Sequence, residues 1–301
     1  MNLGAVRMRI APFEREENMR LSPECLIARP MLLGESPVWR AETRTLFITD
    51  IPEKRVYKYD WQTGSIAEIT VPQETGALIL NRAGNLIGCM QNGVYHIFED
   101  ETPAEPLFAP LPLAGTRFND AKAGPDGRIY AGTVGANFSG AFYSIDSKGN
   151  LKTLLTGIGC SNGLDWDAER GLLYYIDTSR RALFRFRWHS ERDVLAEKQI
   201  VREFARDEGF PDGMTMDASG NLWIALWGSG RAICIEPDCG RTICELHLPA
   251  KYVSCPAFAG EQLDTLVVTT ARQDDDHPLA GAVFAAYPEI SGRPIWRFDE
   301  S

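Results

Sequence analysis

Six polar residues occupy one position of an internal repeat. Each stands at the start of a short apolar run, and each carries an oxygen atom that can bind a ligand. The six are Glu35, Thr75, Asn119, Asn162, Asp212 and Ser254. Two carboxylates and two amides brought together would form an oxygen-rich site for a hard or borderline divalent cation. The same residue types also favour the turns that precede strands, an interpretation that needs no metal.

The repeat itself predicts the elements that position these residues. Successive positions of the six lie 40, 44, 43, 50 and 42 residues apart. After each comes an apolar-rich run, a turn built on Asp, Asn, Gly or Glu, and a second run rich in Leu, Ile, Tyr and Val. A third run follows, such as Arg55–Asp60 or Ala182–Arg187, in which apolar and polar residues alternate as in a half-buried strand. With a fourth strand, each unit has the size of one propeller blade.

The repeats therefore predict an all-β fold, a six-bladed β-propeller with a central metal site if the ring residues bind a cation rather than only form turns. In a radial arrangement, the residue that begins each innermost strand would form a ring at one mouth of the channel. We expect residues 24–28 to complete the last blade, residues 23–301 to be a single domain, and residues 1–22 to be a disordered or frayed arm. Residues 193–208 have a helix-favouring composition but fall where a fourth strand belongs, so strand plus loop is predicted there.

Composition restricts the partners and the compartment. The 301 residues are 44% hydrophobic and 24% charged with a net charge of −10, and a chain this acidic without a basic cluster repels nucleic acid. No apolar run approaches the roughly 20 residues that a membrane helix needs, so no membrane partner is expected. None of the seven cysteines stands in a C-x-x-C pair. Reduced thiols and a cytoplasmic location are therefore predicted. The four histidines are scattered and are interpreted as structural or surface residues.

Five short motifs resemble the signatures of the SMP-30/gluconolactonase/regucalcin family. All occur in the right order, and the resemblance runs from about residue 24 to the C-terminus. They are GESPVW at residues 34–39, RFND at 117–120, SNGL at 161–164, PDGM at 211–214 and LWIALW at 222–227. Ser36 stands where many members have a second glycine, and it is expected to add a hydroxyl near the site.

This resemblance implies a lactonase. Its implied fold is a six-bladed propeller with one divalent metal ion near the axis, and its implied activity is the hydrolysis of a sugar lactone to the aldonic acid. Glucono-, xylono-, arabinono- and galactono-lactone are candidate substrates. By motif, Glu35, Asn162 and Asp212 match the metal ligands, and Asp212 also matches the residue that donates or accepts a proton. Arg117 and Asn119 match residues at the substrate.

Oxygen ligands do not select sharply among calcium, zinc, manganese, magnesium and iron(II), so the identity of the ion stays open.

A metal-dependent aryl esterase or organophosphatase on the same scaffold is one alternative function. The entrance to such a site is expected to be apolar, and the loops of this chain are not notably apolar. A non-catalytic calcium-binding propeller is another alternative, although a pure scaffold would not need oxygen-bearing side chains in register. The expected partner is a small sugar lactone, and the expected state is a monomer or weak homo-oligomer.

Overall fold

Every long element in the part of the chain that the structure describes is a β-strand. The computed structural model describes residues 19–100 and 102–301, and within them lie 25 strands and four 3-10 helices of three residues each. Runs of β-branched and aromatic residues separated by Gly, Asp and Asn turns account for this content. In the same two ranges, no helix is long and apolar enough to span a membrane. The 3-10 helices are Ala41–Thr43, Ala136–Phe138, Thr178–Arg180 and Arg206–Glu208.

The strands are numbered in chain order. They are β1 (Met19–Leu21), β2 (Glu24–Ile27), β3 (Gly34–Arg40), β4 (Thr45–Asp50), β5 (Arg55–Asp60), β6 (Ile66–Thr70), β7 (Thr75–Leu80), β8 (Leu86–Met90), β9 (Gly93–Ile97), β10 (Glu105–Phe108), β11 (Arg117–Ala123), β12 (Ile129–Val134), β13 (Gly140–Ile145), β14 (Leu151–Ile158), β15 (Ser161–Asp167), β16 (Leu172–Asp177), β17 (Ala182–His189), β18 (Val194–Glu203), β19 (Phe210–Met216), β20 (Leu222–Trp227), β21 (Arg231–Glu236), β22 (Arg241–His247), β23 (Tyr252–Ala259), β24 (Thr265–Ala271) and β25 (Val283–Ala286).

Four of the sheets contain four antiparallel strands each, in the sequential orders β3–β6, β7–β10, β11–β14 and β15–β18. The remaining strands form one nine-stranded sheet, in which a single residue pair, Trp227 with Tyr252, joins β20 to β23. The repeats predict six separate sheets, whereas five are present in the described residues. This one pair is the reason, because it links the strand groups of the fifth and sixth repeats.

The first strand of every repeat lies beside the first strand of the next. Strands β3, β7, β11, β15, β19 and β23 contact one another in this order, and β23 contacts β3. They therefore form a closed ring of inner strands. The apolar cores lie between neighbouring sheets, where side chains of successive repeats pack together. A side chain on an inner strand can consequently point toward a common axis.

The start of the chain pairs with its end. Strand β2 is antiparallel to β25, with Glu24 opposite Ala285 and Ile27 opposite Val283. The predicted pairing of residues 24–28 is thus confirmed over β2. Strand β1 pairs in parallel with β22, so residues 19–21 of the expected arm belong to a sheet. Residues 1–18, where the rest of that arm is predicted, lie outside the described residues.

Two smaller expectations also have an outcome. Residues 193–208 contain the strand β18 followed by the 3-10 helix Arg206–Glu208, as predicted for strand plus loop. All seven cysteines carry free thiols.

Candidate active site

A β-bulge marks the ring position of every inner strand. In all six pairings of an inner strand with its neighbour, the register shifts at or beside the residue that the repeat singled out. In β19, for example, the shift falls between Pro211 and Met214 and includes Asp212. A bulge bends a strand and re-aims one side chain, which is why bulges are common beside functional sites. Here it turns the ring residue away from the regular alternation.

Glycine follows the ring residue where two inner strands approach closely. A Cβ on Gly163 would lie 2.7 Å from the carbonyl oxygen of Asp212, and a Cβ on Gly213 would lie 2.5 Å from Sγ of Cys255. Any side chain at these positions would push apart the strands that carry Asn162 and Asp212. The glycines of SNGL and PDGM are therefore explained by backbone packing around the site.

Four of the six ring residues reach one open cavity of about 700 Å³. Glu35, Asn119, Asn162 and Asp212 line it together, each from a different inner strand. Its other lining residues are Leu33, Ile51, Cys160, Thr178, Phe210 and Trp227. The structure thus brings together all the predicted metal ligands and one of the two predicted substrate residues.

The other two ring residues, Thr75 and Ser254, hydrogen bond to backbone carbonyl oxygens. Ser254 donates a hydrogen bond from Oγ to the carbonyl oxygen of Gly34 at 2.6 Å, and Thr75 donates from Oγ1 to the carbonyl oxygen of Gln73 at 3.3 Å. Both are fully buried and neither lines the cavity. Their hydroxyls satisfy structural hydrogen bonds, so the expected ring of six donors is a group of four.

Asn162 is oriented by a short series of hydrogen bonds. Its Nδ2 donates to Oγ1 of Thr178 at 3.0 Å, and that hydroxyl donates to the carbonyl oxygen of Pro211 at 2.7 Å. Because the amide nitrogen is engaged by Thr178, the amide oxygen is the atom left for a ligand. The same hydrogen bonds tie the start of β19, which carries Asp212, to the end of β16.

Arg117 lies behind Asn119 rather than in the cavity lining. Its Nη1 donates to Oδ1 of Asn119 at 2.7 Å, and its Nε lies 3.2 Å from Oε2 of Glu74. The Nδ2 of Asn119 donates to the carbonyl oxygen of Ser161 at 2.8 Å. Both ends of the Asn119 amide are therefore held, and Arg117 helps to hold it.

Ser36 does not add its hydroxyl to the site. Its Oγ accepts a hydrogen bond from the backbone N–H of Leu78 at 2.8 Å, which joins β3 to β7. The residue has a φ of 47°, in the left-handed region that favours glycine. The interstrand hydrogen bond gives the serine a structural role there.

Three acids, the buried Asp120 and Asp212 and the half-buried Glu35, crowd the axis. Burial and the negative charge of Asp120 raise the pKa of Glu35 to about 8. Burial and repulsion from Glu35 raise the pKa of Asp212 well above its ordinary value. Burial raises the pKa of Asp120 to about 6, opposed by the positive charge of Lys122. Like-charged carboxylates in a desolvated site cannot all ionise unless a cation compensates them. The arrangement therefore fits a bound cation.

Lys122 ties three inner strands together below these acids. From β11, its Nζ donates to Oδ2 of Asp165 at 2.9 Å and to the carbonyl oxygen of Met214 at 2.8 Å. Together with Asp120 it lines a second cavity of about 850 Å³, to which all six inner strands and residues 293–296 contribute. The ion pair of Lys122 with Asp165 and the place of Asp120 beside it were not predicted. The two-residue spacing of Asp120 and Lys122 within a strand is the signal that places them on one face.

Cys160 lines the cavity with a thiol whose surroundings favour the protonated form. Burial, followed by the negative charge of Asp212, raises the pKa of its thiol to about 12. The reactive form of cysteine is the thiolate, and this thiol stays protonated near neutral pH. Across the described residues, no three His, Cys, Asp or Glu side chains form a metal-binding cluster. The candidate set instead combines two carboxylates with the amide oxygen of Asn162.

Comparison with known proteins agrees with the motifs. A sequence profile described as SMP-30/Gluconolactonase/LRE-like region matches residues 33–272. The chain belongs to this family. Its relatives include the 6-deoxy-6-sulfogluconolactonase of Pseudomonas putida, 31% identical over 89% of this chain and 96% of that protein. The pentonolactonase XacC of Haloferax volcanii is also 31% identical, over 89% of this chain and 94% of the relative.

The fold of this family member is shared with solved structures. The calcium-binding protein regucalcin from Agrobacterium tumefaciens superposes with a TM-score of 0.85, covering 93% of this chain and 98% of regucalcin. The two sequences are 24% identical, so this likeness establishes the fold alone. It supports the all-β, propeller-like architecture described above.

Proposed function

We propose that this protein hydrolyses a sugar lactone to the aldonic acid with one divalent metal ion held by Glu35, Asn162 and Asp212. The observation that carries the proposal is the convergence of these oxygen ligands in one open cavity, where a bound cation would stabilise the ionised carboxylates of Glu35 and Asp212. Two relatives are named as lactonases, which supports the class of reaction. The closed ring of inner strands supports a six-bladed propeller over residues 23–301.

When bound, a divalent cation would polarise the lactone carbonyl, stabilise the developing oxyanion and lower the pKa of a water molecule. Asp212 would accept a proton from the attacking water and return it to the ring oxygen as the ester bond breaks. Asn119 would orient the hydroxyl groups of the substrate, with Arg117 fixing the Asn119 amide. The protein thus supplies proton transfer and orientation at fixed positions.

The test is acid release from a panel of D-glucono-, D-xylono-, L-arabinono- and D-galactono-lactones, with and without a chelator. We expect at least one lactone to be hydrolysed, the activity to disappear on chelation and a divalent ion to restore it. Elemental analysis of the purified protein identifies the ion. Activity that survives chelation in a protein without bound metal would contradict the metal-dependent mechanism.

A hydrolase for aryl esters or organophosphates is a second candidate, and one observation favours it. Contrary to the sequence expectation, the cavity lining includes large apolar residues, Leu33 and Ile51 from the first repeat and Phe210 and Trp227 from the fifth. Phenyl acetate and paraoxon therefore belong in the same panel. Cation binding without hydrolysis of any substrate in the panel would instead indicate a calcium-binding propeller. The cytoplasmic location and the monomeric or weakly oligomeric state stay predictions from the sequence.

A further inference from the structure

The apolar residues that line the cavity include two aromatic ones on adjacent strands. Phe210 begins β19 and Trp227 ends β20, and the two residues are direct cross-strand partners. Phe210 is 44% exposed although its side chain is large and apolar. Opposite partners in an antiparallel pair have Cβ atoms about 5 Å apart, so the two side chains leave the same face of the sheet from neighbouring positions. We call these two side chains, Phe210 with Trp227, the aromatic wall.

Each ring of the aromatic wall packs against a neighbouring side chain. The ring centroids of Trp227 and Tyr252 lie 4.8 Å apart, and the hydroxyl of Tyr252 donates a hydrogen bond to Asp274. On the other strand, the guanidinium of Arg181 lies 4.1 Å from the ring centroid of Phe210. Arg181 is itself fixed, because its Nε donates to the carbonyl oxygen of Phe204 at 3.1 Å. The rings are therefore preorganised before a ligand binds.

The same cavity carries the polar groups Glu35, Asn119, Asn162 and Asp212. A ligand that fits must present oxygen atoms to these groups and an apolar face to the wall. A wholly apolar ligand would leave buried polar atoms unpaired, which is costly. A closed sugar ring meets both demands, since its hydroxyl groups project from the edge and its C–H bonds cover the ring faces.

We propose that Phe210 and Trp227 stack on the C–H face of a cyclic sugar lactone and thereby distinguish the closed ring from its acyclic product. This inference rests on the proposed lactonase function and names the substrate feature that the site recognises. Hydrolysis opens the ring and removes the flat C–H face. The product therefore loses its contact with the wall while it gains a carboxylate beside Glu35 and Asp212.

The test is a substitution series at Phe210 with a matched control. Phe210→Ala removes the ring, Phe210→Leu keeps apolar volume without a π face, and Phe210→Trp restores an aromatic ring. Phe138→Ala is the control, because Phe138 is also 44% exposed and lies under an arginine, Arg180, at 4.5 Å, but does not line the cavity.

Two readouts are measured for each variant. The first is kcat and KM on D-glucono-1,5-lactone. The second is binding of two inert probes, the ring-shaped methyl β-D-glucopyranoside and the acyclic polyol D-glucitol, by calorimetry. We expect Phe210→Ala to raise KM and weaken binding of the ring probe by about 3- to 10-fold, with kcat within about 2-fold and D-glucitol binding unchanged. Phe210→Trp restores both values, Phe210→Leu restores part, and the control changes neither.

Several outcomes would overturn the inference. It fails if the Phe210→Ala and Phe138→Ala variants have the same KM, if both probes weaken equally, or if the wild type does not bind the ring probe. A wild-type protein that hydrolyses no lactone refutes the proposed function instead. In that event, selective loss of ring-probe binding in Phe210→Ala still supports the wall.

Discussion

Two buried aspartates of the fifth repeat have different surroundings, and of these two only Asp212 lines the cavity. Asp212 lines the cavity, and its pKa is raised by burial and by Glu35. Asp217, also buried, accepts hydrogen bonds at 2.9 Å from the backbone N–H groups of Ser219 and Asn221 and at 3.1 Å from Nε1 of Trp223. Protein donors satisfy Asp217, whereas Asp212 faces the space where a ligand would bind. The pair therefore offers a test of the mechanism at the level of single atoms.

We predict that Asp212→Asn folds normally but loses at least about 100-fold in kcat on the best lactone. The amide can keep a metal contact through its oxygen but cannot accept a proton, and general acid–base assistance is commonly worth about 10²- to 10⁴-fold. Steady-state kinetics and the thermal midpoint of the variant are the measurements.

Asp217→Asn is the control for this prediction. It removes a carboxylate of similar burial from the next turn, so it should lower the thermal midpoint and leave kcat within a few fold. If Asp212→Asn turns over at the wild-type rate, Asp212 is not the proton-transfer group.

At the scale of elements, the inner strand with its bulge is the unit that builds the site. Each of the four strands that supply cavity oxygens contributes one ring residue at the bulge, and the closed ring of inner strands sets the distances between them. The site consequently also depends on strands that contribute no residue to it but stabilise the sheets that carry the inner strands. Strand β2 is such an element, because it covers β25 with the buried Ile27.

We predict that truncations from the N-terminus destabilise the protein in a step. Deletion of residues 1–15 should change the thermal midpoint little, since these residues add no repeat unit. Deletion of residues 1–28 removes β2 and the burial of Ile27, worth about 1.5–3 kcal/mol, and should lower the midpoint by roughly 3–5 °C.

Deletion of residues 1–22 separates the contribution of β1 from that of β2. We expect the larger loss between residues 22 and 28, measured by thermal unfolding of all three truncated proteins. Equal thermal midpoints for the deletions of 1–15 and 1–28 would show that β2 does not stabilise the folded protein.

The period of the repeats predicted the cavity residues that share one position of the repeat. It did not predict the lining residues that come from strand ends and connections. Position within a repeat fixes the distance from the axis, so Glu35, Asn119, Asn162 and Asp212 could be placed together. Thr75 and Ser254 share that position, but their short hydroxyl side chains hydrogen bond to nearby carbonyl groups. Further lining residues come from strand ends and connections, whose reach has no period in the sequence. These are Leu33, Ile51, Cys160, Thr178, Phe210 and Trp227.

At the scale of the whole molecule, the site places negative charge at the centre of an already acidic protein. The net charge is −10, and Glu35, Asp120 and Asp212 lie around the axis where burial raises their pKa values. Between the ordinary pKa of 4.5 and the folded value of about 8, the unfolded protein releases the Glu35 proton while the folded protein retains it. Stability from this group is therefore present at low pH and is lost as the pH rises through this window.

We predict that the thermal midpoint of the chelated protein falls by at least a few degrees between pH 5 and pH 8. A divalent cation binds the deprotonated carboxylates, so it should raise the midpoint more at pH 8 than at pH 5. Thermal unfolding with calcium chloride, manganese chloride or chelator at both pH values is the measurement.

Glu35→Gln is the matched variant for this prediction. The amide does not titrate, so the fall with pH and the response to the cation should both become smaller. A cation effect of the same size at pH 5 and pH 8 in the wild type would disprove the linkage to these carboxylates.

The pairing of β2 with β25 also determines when the molecule can be completed. Glu24 pairs with Ala285, which lies 261 positions later in the chain. At about 5–20 residues per second, synthesis takes roughly 13–50 s to cover that interval. During this time the hydrogen-bonding edge of β2 has no native partner, which is the condition under which strand edges associate with other proteins. The sheet that contains both β2 and β25 therefore forms only after residue 286 has been synthesised, and its completion is set by the pace of translation.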